Sequence, residues 1–221
     1  MALTPEAVIF DLDGTLIDNN AYHIEAWKVF YSKIGRQFSM DEYKNNINGR
    51  INRDIFNYIF GNELPAAEID RLTNEKEQLY REYYAPFIQP IPGLLPLLEQ
   101  VKKAGIPMAI ATSGLPVNIA FMFEHLTIQQ YFDDVIDATL VTNSKPHPEI
   151  FLKAAAAVKA NPLMSIAFED SIAGVRAAKS AGMKVVGLTT THTREDLFEA
   201  DRIIKDYTEI DFTALLQLME A

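Results

Sequence analysis

The 221-residue sequence contains no cysteine. Disulfide bonds, thiolate nucleophiles and cysteine-ligated zinc are therefore excluded. Basic residues are also few, because 20 lysines and arginines stand against 30 aspartates and glutamates, for a formal net charge of -10. Nucleic-acid-binding proteins usually present a basic face, so we expect no nucleic-acid partner. No hydrophobic run approaches the roughly 20 residues of a membrane span, and the first residues lack a secretory-signal pattern. We therefore expect a cytoplasmic protein with no membrane partner.

Short hydrophobic runs alternate with helical patterns along most of the chain. Four runs predict buried parallel strands, at residues 7–10, 107–111, 164–168 and 184–188. Helical patterns occur at residues 94–104, 148–158, 171–181 and 211–221. This alternation predicts an α/β fold with a doubly wound, Rossmann-like parallel sheet.

Residues 19–87 break the alternation. Apolar residues recur there at helical spacing, at residues 22–34, 53–60 and 68–84, and no strand pattern is found. We predict that residues 19–87 form a helical domain inserted after the first strand. Residues 1–18 and 88–221 would then form the α/β core.

Acidic residues directly follow two of the predicted strands. Asp11 and Asp13 follow the first, and Glu169 and Asp170 follow the third. Ligands bind at the carboxyl ends of the strands of a parallel sheet, so we expect the four residues to converge there. Like charges repel unless a cation or a shared proton offsets them, and Mg²⁺ prefers oxygen ligands. The alternatives are a solvated turn for the first pair and a helix N-cap for the second.

Two further segments are suited to anionic oxygens. Thr112, Ser113 and Gly114 follow the second predicted strand, where a hydroxyl and backbone N–H groups can hold phosphate oxygens. Lys145 directly precedes Pro146 in a loop and can offset negative charge. Taken singly, an ordinary turn and an exposed lysine explain these segments equally well. All of them, however, are predicted to meet at one edge of the sheet.

The segments DLDGT, ATSG, SKP and FEDSIAGVRAAKSAGM stand in this order along the chain. In these motifs the whole chain resembles the haloacid dehalogenase superfamily, and within it the β-phosphoglucomutase-like sugar-phosphate enzymes. The resemblance implies that residues 19–87 are a type 1 cap. It also implies phosphoryl transfer, because dehalogenase members lack an acid at the position of Asp13.

The resemblance assigns roles to the residues at the sheet edge. Asp11 would be the nucleophile that forms an aspartyl-phosphate, and Asp13 the general acid and base. Thr112, with Ser113 and Gly114, would bind the transferring phosphoryl group, and Lys145 would offset its charge. The implied Mg²⁺ ligands are Asp11, the backbone carbonyl of Asp13 and Asp170, with Glu169 as a ligand directly or through water.

Three cap residues resemble sugar-contacting or closure residues of the mutases. His23 and Trp27 lie in the segment YHIEAW, where the resemblance implies a histidine that couples cap closure to proton transfer at Asp13. Lys76 matches a lysine that contacts the sugar. The alternatives are a histidine packed at a helix start and an exposed helical lysine.

The loop around Gly49 departs from the mutase pattern. A mutase lysine and a phosphate-gripping arginine would fall at Asn48 and Asn52. Arg50 and Arg53 flank the second position and are candidates for a substitute clamp. The glycine–arginine pair is more similar to the phosphatases of the subgroup.

We therefore expect a phosphatase acting on a small phosphorylated metabolite, such as a sugar phosphate. A β-phosphoglucomutase-like mutase is the main alternative. A pyrophosphatase, which Asn48 disfavours, and an inactive binding domain are the others. We also expect a monomer, and a C-terminal helix that only packs on the core. His125, His147 and His192 match no family position and are predicted to be surface or loop residues.

Overall fold

The computed structural model describes residues 3–61 and 64–220. Residues 1–2, 62–63 and 221 belong to the predicted core, cap and C-terminal helix, and they lie outside the described residues.

A six-stranded parallel sheet forms the centre of the fold. Its strands are β1 (Ala7–Phe10), β2 (Met108–Ala111), β3 (Asp134–Ile136), β4 (Ser165–Glu169), β5 (Lys184–Leu188) and β6 (Arg202–Ile204). The spatial order is β3-β2-β1-β4-β5-β6, and every neighbouring pair is parallel. In sheets of this order, ligands bind beyond the carboxyl ends of the strands, where the order reverses. That point lies between β1 and β4, the two strands followed by acids.

The register between β1 and β4 aligns those acids. Phe10 is paired with Phe168, and their rings stack with centroids 4.9 Å apart. The next backbone N–H, that of Asp11, donates to the Phe168 carbonyl at 3.0 Å. Asp11 and Glu169 therefore leave the sheet at the same level.

The regular secondary structure described between residues 20 and 84 is helical. The helices are α1 (Asn20–Lys33), α2 (Met40–Glu42, continued by a π-helical turn over Tyr43–Ile47), α3 (Asn52–Phe60) and α4 (Ala66–Tyr84). They enclose an aromatic-rich cluster of their own, centred on Trp27, Phe30 and Phe56. The connections to the sheet run side by side, because Ile17 forms an isolated bridge with Pro90.

The remaining helices cover both faces of the sheet. They are α5 (Leu94–Lys103), α6 (Pro116–His125), α7 (Glu149–Ala157), α8 (Ile172–Ser180) and α9 (Phe212–Glu220). Side chains of β1 alternate between the faces: Val8 packs with α5, α6 and α9, whereas Ile9 packs with α7 and α8. The doubly wound fold and all four predicted strands are confirmed.

The ends of the predicted helices agree with the ends of the observed helices to within two residues. The sequence patterns missed α6 and the strands β3 and β6. No helix in the described part of the chain is long and apolar enough to cross a membrane.

Candidate active site

Lys145 links the ends of three strands. Its ammonium group donates to Asp11 Oδ1 at 2.6 Å, to Glu169 Oε1 at 2.6 Å and to the Ala111 carbonyl at 3.2 Å. These three bonds use all the donors of the ammonium group. Lys145 is buried, at 1% exposure. The structure therefore fixes this lysine directly against the predicted nucleophile.

Asp11, Glu169 and Asp170 form a buried acidic triad. One carboxylate oxygen from each side chain lies within 4.8 Å of the chosen oxygens of the other two. Burial raises the pKa of Asp11 to about 8, despite the opposing charge of Lys145. Burial, with the charges of Glu169 and Asp11, also raises the pKa of Asp170.

The triad suits a hard divalent cation. Its donors are all oxygens, which Mg²⁺ prefers. When fully ionised, the three carboxylates exceed the charge of Lys145, and uncompensated buried charge is costly. A divalent cation would remove this excess. The contribution of the Asp13 carbonyl stays a prediction.

The turn after β1 brings its backbone against the triad. Gly14 has φ +76°, and a Cβ there would lie 2.2 Å from Asp170 Oδ2. Only glycine fits that conformation and that space without displacing the carboxylate. The Thr15 hydroxyl donates to Asp170 Oδ1 at 3.4 Å.

Asp13 is held by Asn19 and His23 rather than by the triad. Its Oδ1 accepts from Asn19 Nδ2 at 2.5 Å and lies 3.5 Å from His23 Nε2. Burial raises the pKa of Asp13, but the hydrogen bonds from His23 and Asn19 lower it overall. These contacts favour the ionised form of Asp13, which is the form that can accept a proton. Asn19, which the sequence analysis missed, also accepts from Gly14 N at 3.0 Å.

A buried chain of polar groups leads away from Asp13. Lys76 Nζ lies 2.9 Å from His23 Nδ1 and donates to Glu77 Oε1 at 2.9 Å. An ammonium group can only donate, so Nδ1 accepts and the hydrogen of a neutral His23 lies on Nε2, towards Asp13. Lys76 is 3% exposed and lies 5.0 Å from the centroid of the Trp27 ring. The alternative of an exposed helical lysine is therefore wrong.

Glu77 was not predicted as a site residue. Its carboxylate accepts from Asn52 Nδ2 at 2.8 Å and Asn118 Nδ2 at 2.7 Å, in addition to Lys76. Burial would raise the pKa of Glu77, but the charge of Lys76 and these hydrogen bonds lower it to about 2. We call Lys76, Glu77, Asn52 and Asn118 the Glu77 cluster.

The lowered pKa of Glu77 predicts that the free energy of unfolding depends on pH. The folded-state pKa of Glu77, about 2, lies below the ordinary 4.5, so its contribution is present above pH 4.5 and is lost as the pH falls towards 2. We expect Glu77→Gln to lower the free energy of unfolding by about 3 kcal/mol at pH 5 and by only about 1.5 kcal/mol at pH 3. Urea unfolding at both pH values measures the difference.

The matched control is Glu75→Gln, the same change at a position of α4 whose side chain is 33% exposed. We expect less than about 0.5 kcal/mol there. A Glu77→Gln effect that stays constant between pH 5 and pH 3 would contradict the assigned pKa.

The end of β2 and the loop at Gly49 are in contact. Thr112 Oγ1 accepts from Gly114 N at 2.9 Å, and Ser113 Oγ donates to the Gly49 carbonyl at 2.8 Å. Gly49 has φ +76°, and a Cβ there would lie 2.8 Å from Ser171 Oγ. The glycine therefore allows the loop to lie against the sheet edge.

These elements line a small cavity with a volume of about 70 Å³. The predicted residues that line it from the sheet edge are Asp11, Asp13, Thr112, Ser113, Gly114, Glu169 and Asp170. Those that line it from the helices are His23, Trp27, Gly49, Arg50 and Lys76. Lys145 lies against Asp11.

Two predictions require correction. Arg53 is exposed, and its guanidinium donates to the Thr142 carbonyl at 2.6 Å, away from the cavity-lining residues. His192 lies in a loop but is only 3% exposed, with Nδ1 3.1 Å from the Asp170 carbonyl. Burial lowers the pKa of His192. His125 and His147 are exposed, as predicted.

A family model described as "Haloacid dehalogenase-like hydrolase" matches residues 8–188. The chain belongs to this family. Validoxylamine A 7'-phosphate phosphatase of Streptomyces hygroscopicus subsp. limoneus is 33% identical, over 93% of this chain and 95% of that protein. β-Phosphoglucomutase of Bacillus subtilis is 31% identical, over 95% of this chain and 93% of that protein.

The solved structures agree with this membership. The crystal structure of β-phosphoglucomutase from Clostridium difficile matches with a TM-score of 0.87 and 29% identity, over 98% of both chains. The resemblance inferred from the sequence motifs is therefore confirmed. Phosphatases and mutases both occur among the relatives, so membership alone does not select one reaction.

Proposed function

We propose that this hydrolase-family chain hydrolyses phosphate monoesters of small sugar-like metabolites, with Mg²⁺, through an aspartyl-phosphate on Asp11. The observation that carries the proposal is the buried Asp11 carboxylate, 2.6 Å from Lys145 Nζ and within the acidic triad. A phosphatase and a mutase among the relatives act on phosphorylated compounds by their names, which supports the substrate class.

In the first step, the Asp11 carboxylate attacks phosphorus and the bond from phosphorus to the ester oxygen breaks. Protonated Asp13 gives its proton to that oxygen, so the product leaves as an alcohol. In this proposal Thr112 and the amide that follows it bind phosphoryl oxygens. Lys145 offsets charge on Asp11 and on the phosphoryl group.

In the second step, the Asp13 carboxylate takes a proton from water, and the resulting hydroxide attacks phosphorus. The bond from phosphorus to Asp11 breaks, which frees phosphate and restores both aspartates. The lowered pKa of Asp13 favours this step, because the base must be ionised. Asn19 and His23 orient the carboxylate.

Asp11, Glu169 and Asp170 would hold Mg²⁺, with the Asp13 carbonyl as a further ligand. When bound, the cation offsets negative charge on the phosphoryl oxygens.

Asp13→Asn tests the proton transfer. An amide neither gives nor takes the required proton, so we expect kcat to fall by at least about 10²-fold. Steady-state release of phosphate from a sugar phosphate measures it. The leaving group of an activated ester such as p-nitrophenyl phosphate needs no proton. If Asp13→Asn slowed the first step with this ester as much as with the sugar phosphate, Asp13 would not be the acid.

Hydrolysis is favoured over mutase activity by the Glu77 cluster. A mutase holds a second phosphate, and the position where the resemblance places its arginine is Asn52, which donates to Glu77. Arg53 points away from the cavity, so Arg50 is the candidate clamp that still lines it. A wall whose lysine is already paired with a carboxylate suits a sugar hydroxyl better than a second phosphate.

One assay separates the two reactions. The protein is given β-glucose 1-phosphate, trace glucose 1,6-bisphosphate and Mg²⁺, and free phosphate and glucose 6-phosphate are both measured. Free phosphate without glucose 6-phosphate is the expected result. Glucose 6-phosphate with little phosphate would make the chain a mutase with Arg50 as its clamp. No Mg²⁺-dependent turnover on this ester or a sugar-phosphate panel would support an inactive binding domain.

We further propose that residues 19–87 act as a cap on a core of residues 1–18 and 88–221. Their separate aromatic cluster and the bridge between Ile17 and Pro90 support this division. The contact of Ser113 with Gly49 corresponds to the closed position of such a cap. The monomeric state stays a prediction.

A further inference from the structure

The cavity wall formed by α3, α4 and α6 holds a carboxylate that the two chemical steps do not use. Glu77 lines the cavity and is 4% exposed. Within the described residues, Asn52 and Lys76 donate to its Oε1 and Asn118 donates to its Oε2. An ionised carboxylate offers about four acceptor positions. About one position therefore remains, on Oε2.

Lys76, the cation of this wall, is already paired with Glu77 and is not free to bind a phosphate. Lys76 Nζ is 2.9 Å from Glu77 Oε1, both side chains are buried, and Asn52 and Asn118 are neutral. Among the described residues that line the cavity, the only other lysine or arginine is Arg50. A phosphate at this wall would meet the Glu77 carboxylate, whereas phosphate binding normally needs unpaired cationic donors.

The surrounding bonds fix the position of Glu77. Asn118 Oδ1 accepts from Arg81 Nη1 at 2.8 Å, which sets its amide so that Nδ2 faces Glu77. Asn52, which belongs to α3, donates to Glu77 Oε1. The carboxylate is thus bonded to side chains on three helices and is oriented before any substrate arrives.

We infer that Glu77 determines specificity: its Oε2 accepts a hydrogen bond from a substrate hydroxyl, and its charge rejects a second phosphate. The substrate class is then a hydroxyl-bearing monophosphate rather than a bisphosphate. This inference rests on the proposed function for the position of the first phosphate.

The test compares Glu77→Gln with the wild-type protein on two esters, glucose 6-phosphate and p-nitrophenyl phosphate. The second ester carries no hydroxyl, so it does not use the bond to Glu77. We expect kcat/KM for glucose 6-phosphate to fall about 10- to 100-fold, the range for a lost hydrogen bond to a charged group. For p-nitrophenyl phosphate we expect a change of less than about 3-fold. Glu75→Gln should change neither value.

Equal losses on both esters would overturn the inference. They would show that Glu77 acts on the chemistry through Lys76 and His23 rather than on the hydroxyl. Unchanged values for both esters would overturn it as well.

Binding gives a readout that needs no turnover. In an Asp11→Asn background with Mg²⁺, titration calorimetry measures glucose 6-phosphate and glucose 1,6-bisphosphate. We expect the monophosphate to bind more tightly, and Glu77→Gln to shift the ratio of Kd values towards the bisphosphate by roughly tenfold. Tighter binding of the bisphosphate with Glu77 present would overturn the inference.

If Glu77→Gln fails to fold, a second variant still tests the inference. Lys76→Met combined with Glu77→Gln removes both buried charges, which is tolerated better than removing one. In the binding measurement it should lose the preference for glucose 6-phosphate, and a preserved preference would overturn the inference. Failure of the proposed function is distinguishable, because it would show as absent hydrolysis of both esters by the wild-type protein.

Discussion

Replacing Asp11 by asparagine is expected to abolish hydrolysis, with a loss of at least about 10⁴-fold in kcat. An amide cannot form the bond to phosphorus, and it is a weaker ligand for a divalent cation than a carboxylate. Release of phosphate from a sugar phosphate at saturating Mg²⁺ measures the loss.

The loss should be chemical and not structural. Burial already raises the pKa of Asp11 to about 8, so the neutral amide replaces a group that is readily protonated in the folded protein. The amide oxygen can still accept from Lys145. We therefore expect the Tm in EDTA to stay within a few degrees of the wild-type value.

The matched control is Asp41→Asn, the same change at an exposed position of α2, which should leave both readouts unchanged. Substantial turnover by Asp11→Asn would mean that another group attacks phosphorus. The aspartyl-phosphate mechanism would then be wrong.

The central strands could be predicted from sequence because they are buried on both faces. Strands β1, β2 and β4 are fully buried runs of four or five residues, which hydrophobicity alone detects. The missed strands β3 and β6 have three residues each and lie at the sheet edges. Each is only partly buried, so its sequence resembles a loop.

The chemistry at the sheet edge could also be located from sequence. Asp11 and Glu169 follow apolar runs, and parallel strands bring such positions together. The contacts of Lys145 could not be predicted this way. Its loop comes between β3 and α7, and only the tertiary fold places the ammonium group against Asp11.

The burial of Glu77 and His192 could not be predicted from their residue types alone. Helix α4 is rich in charge, so Glu77 looks like one more solvated acid. Its position nevertheless follows the buried stripe of Leu72, Thr73 and Tyr80, and this helical spacing was an available signal. No spacing argument marks His192, because its loop is buried by tertiary contacts.

Lys145→Met is expected to impair both folding and catalysis. The change removes the buried cation that contacts Asp11 and Glu169 at 2.6 Å and leaves both carboxyl groups without this hydrogen-bond donor. We expect the free energy of unfolding in EDTA to fall by about 3–5 kcal/mol, the usual cost of breaking a buried ion pair, and kcat to fall by at least about 10²-fold. The control is Lys153→Met, at an exposed position of α7, which should lower the free energy of unfolding by less than about 0.5 kcal/mol.

Mg²⁺ should raise the Tm of Lys145→Met more than that of the wild-type protein, because a divalent cation replaces part of the lost positive charge. Equal stability of Lys145→Met and the wild-type protein in EDTA, measured by urea unfolding, would contradict the buried contacts.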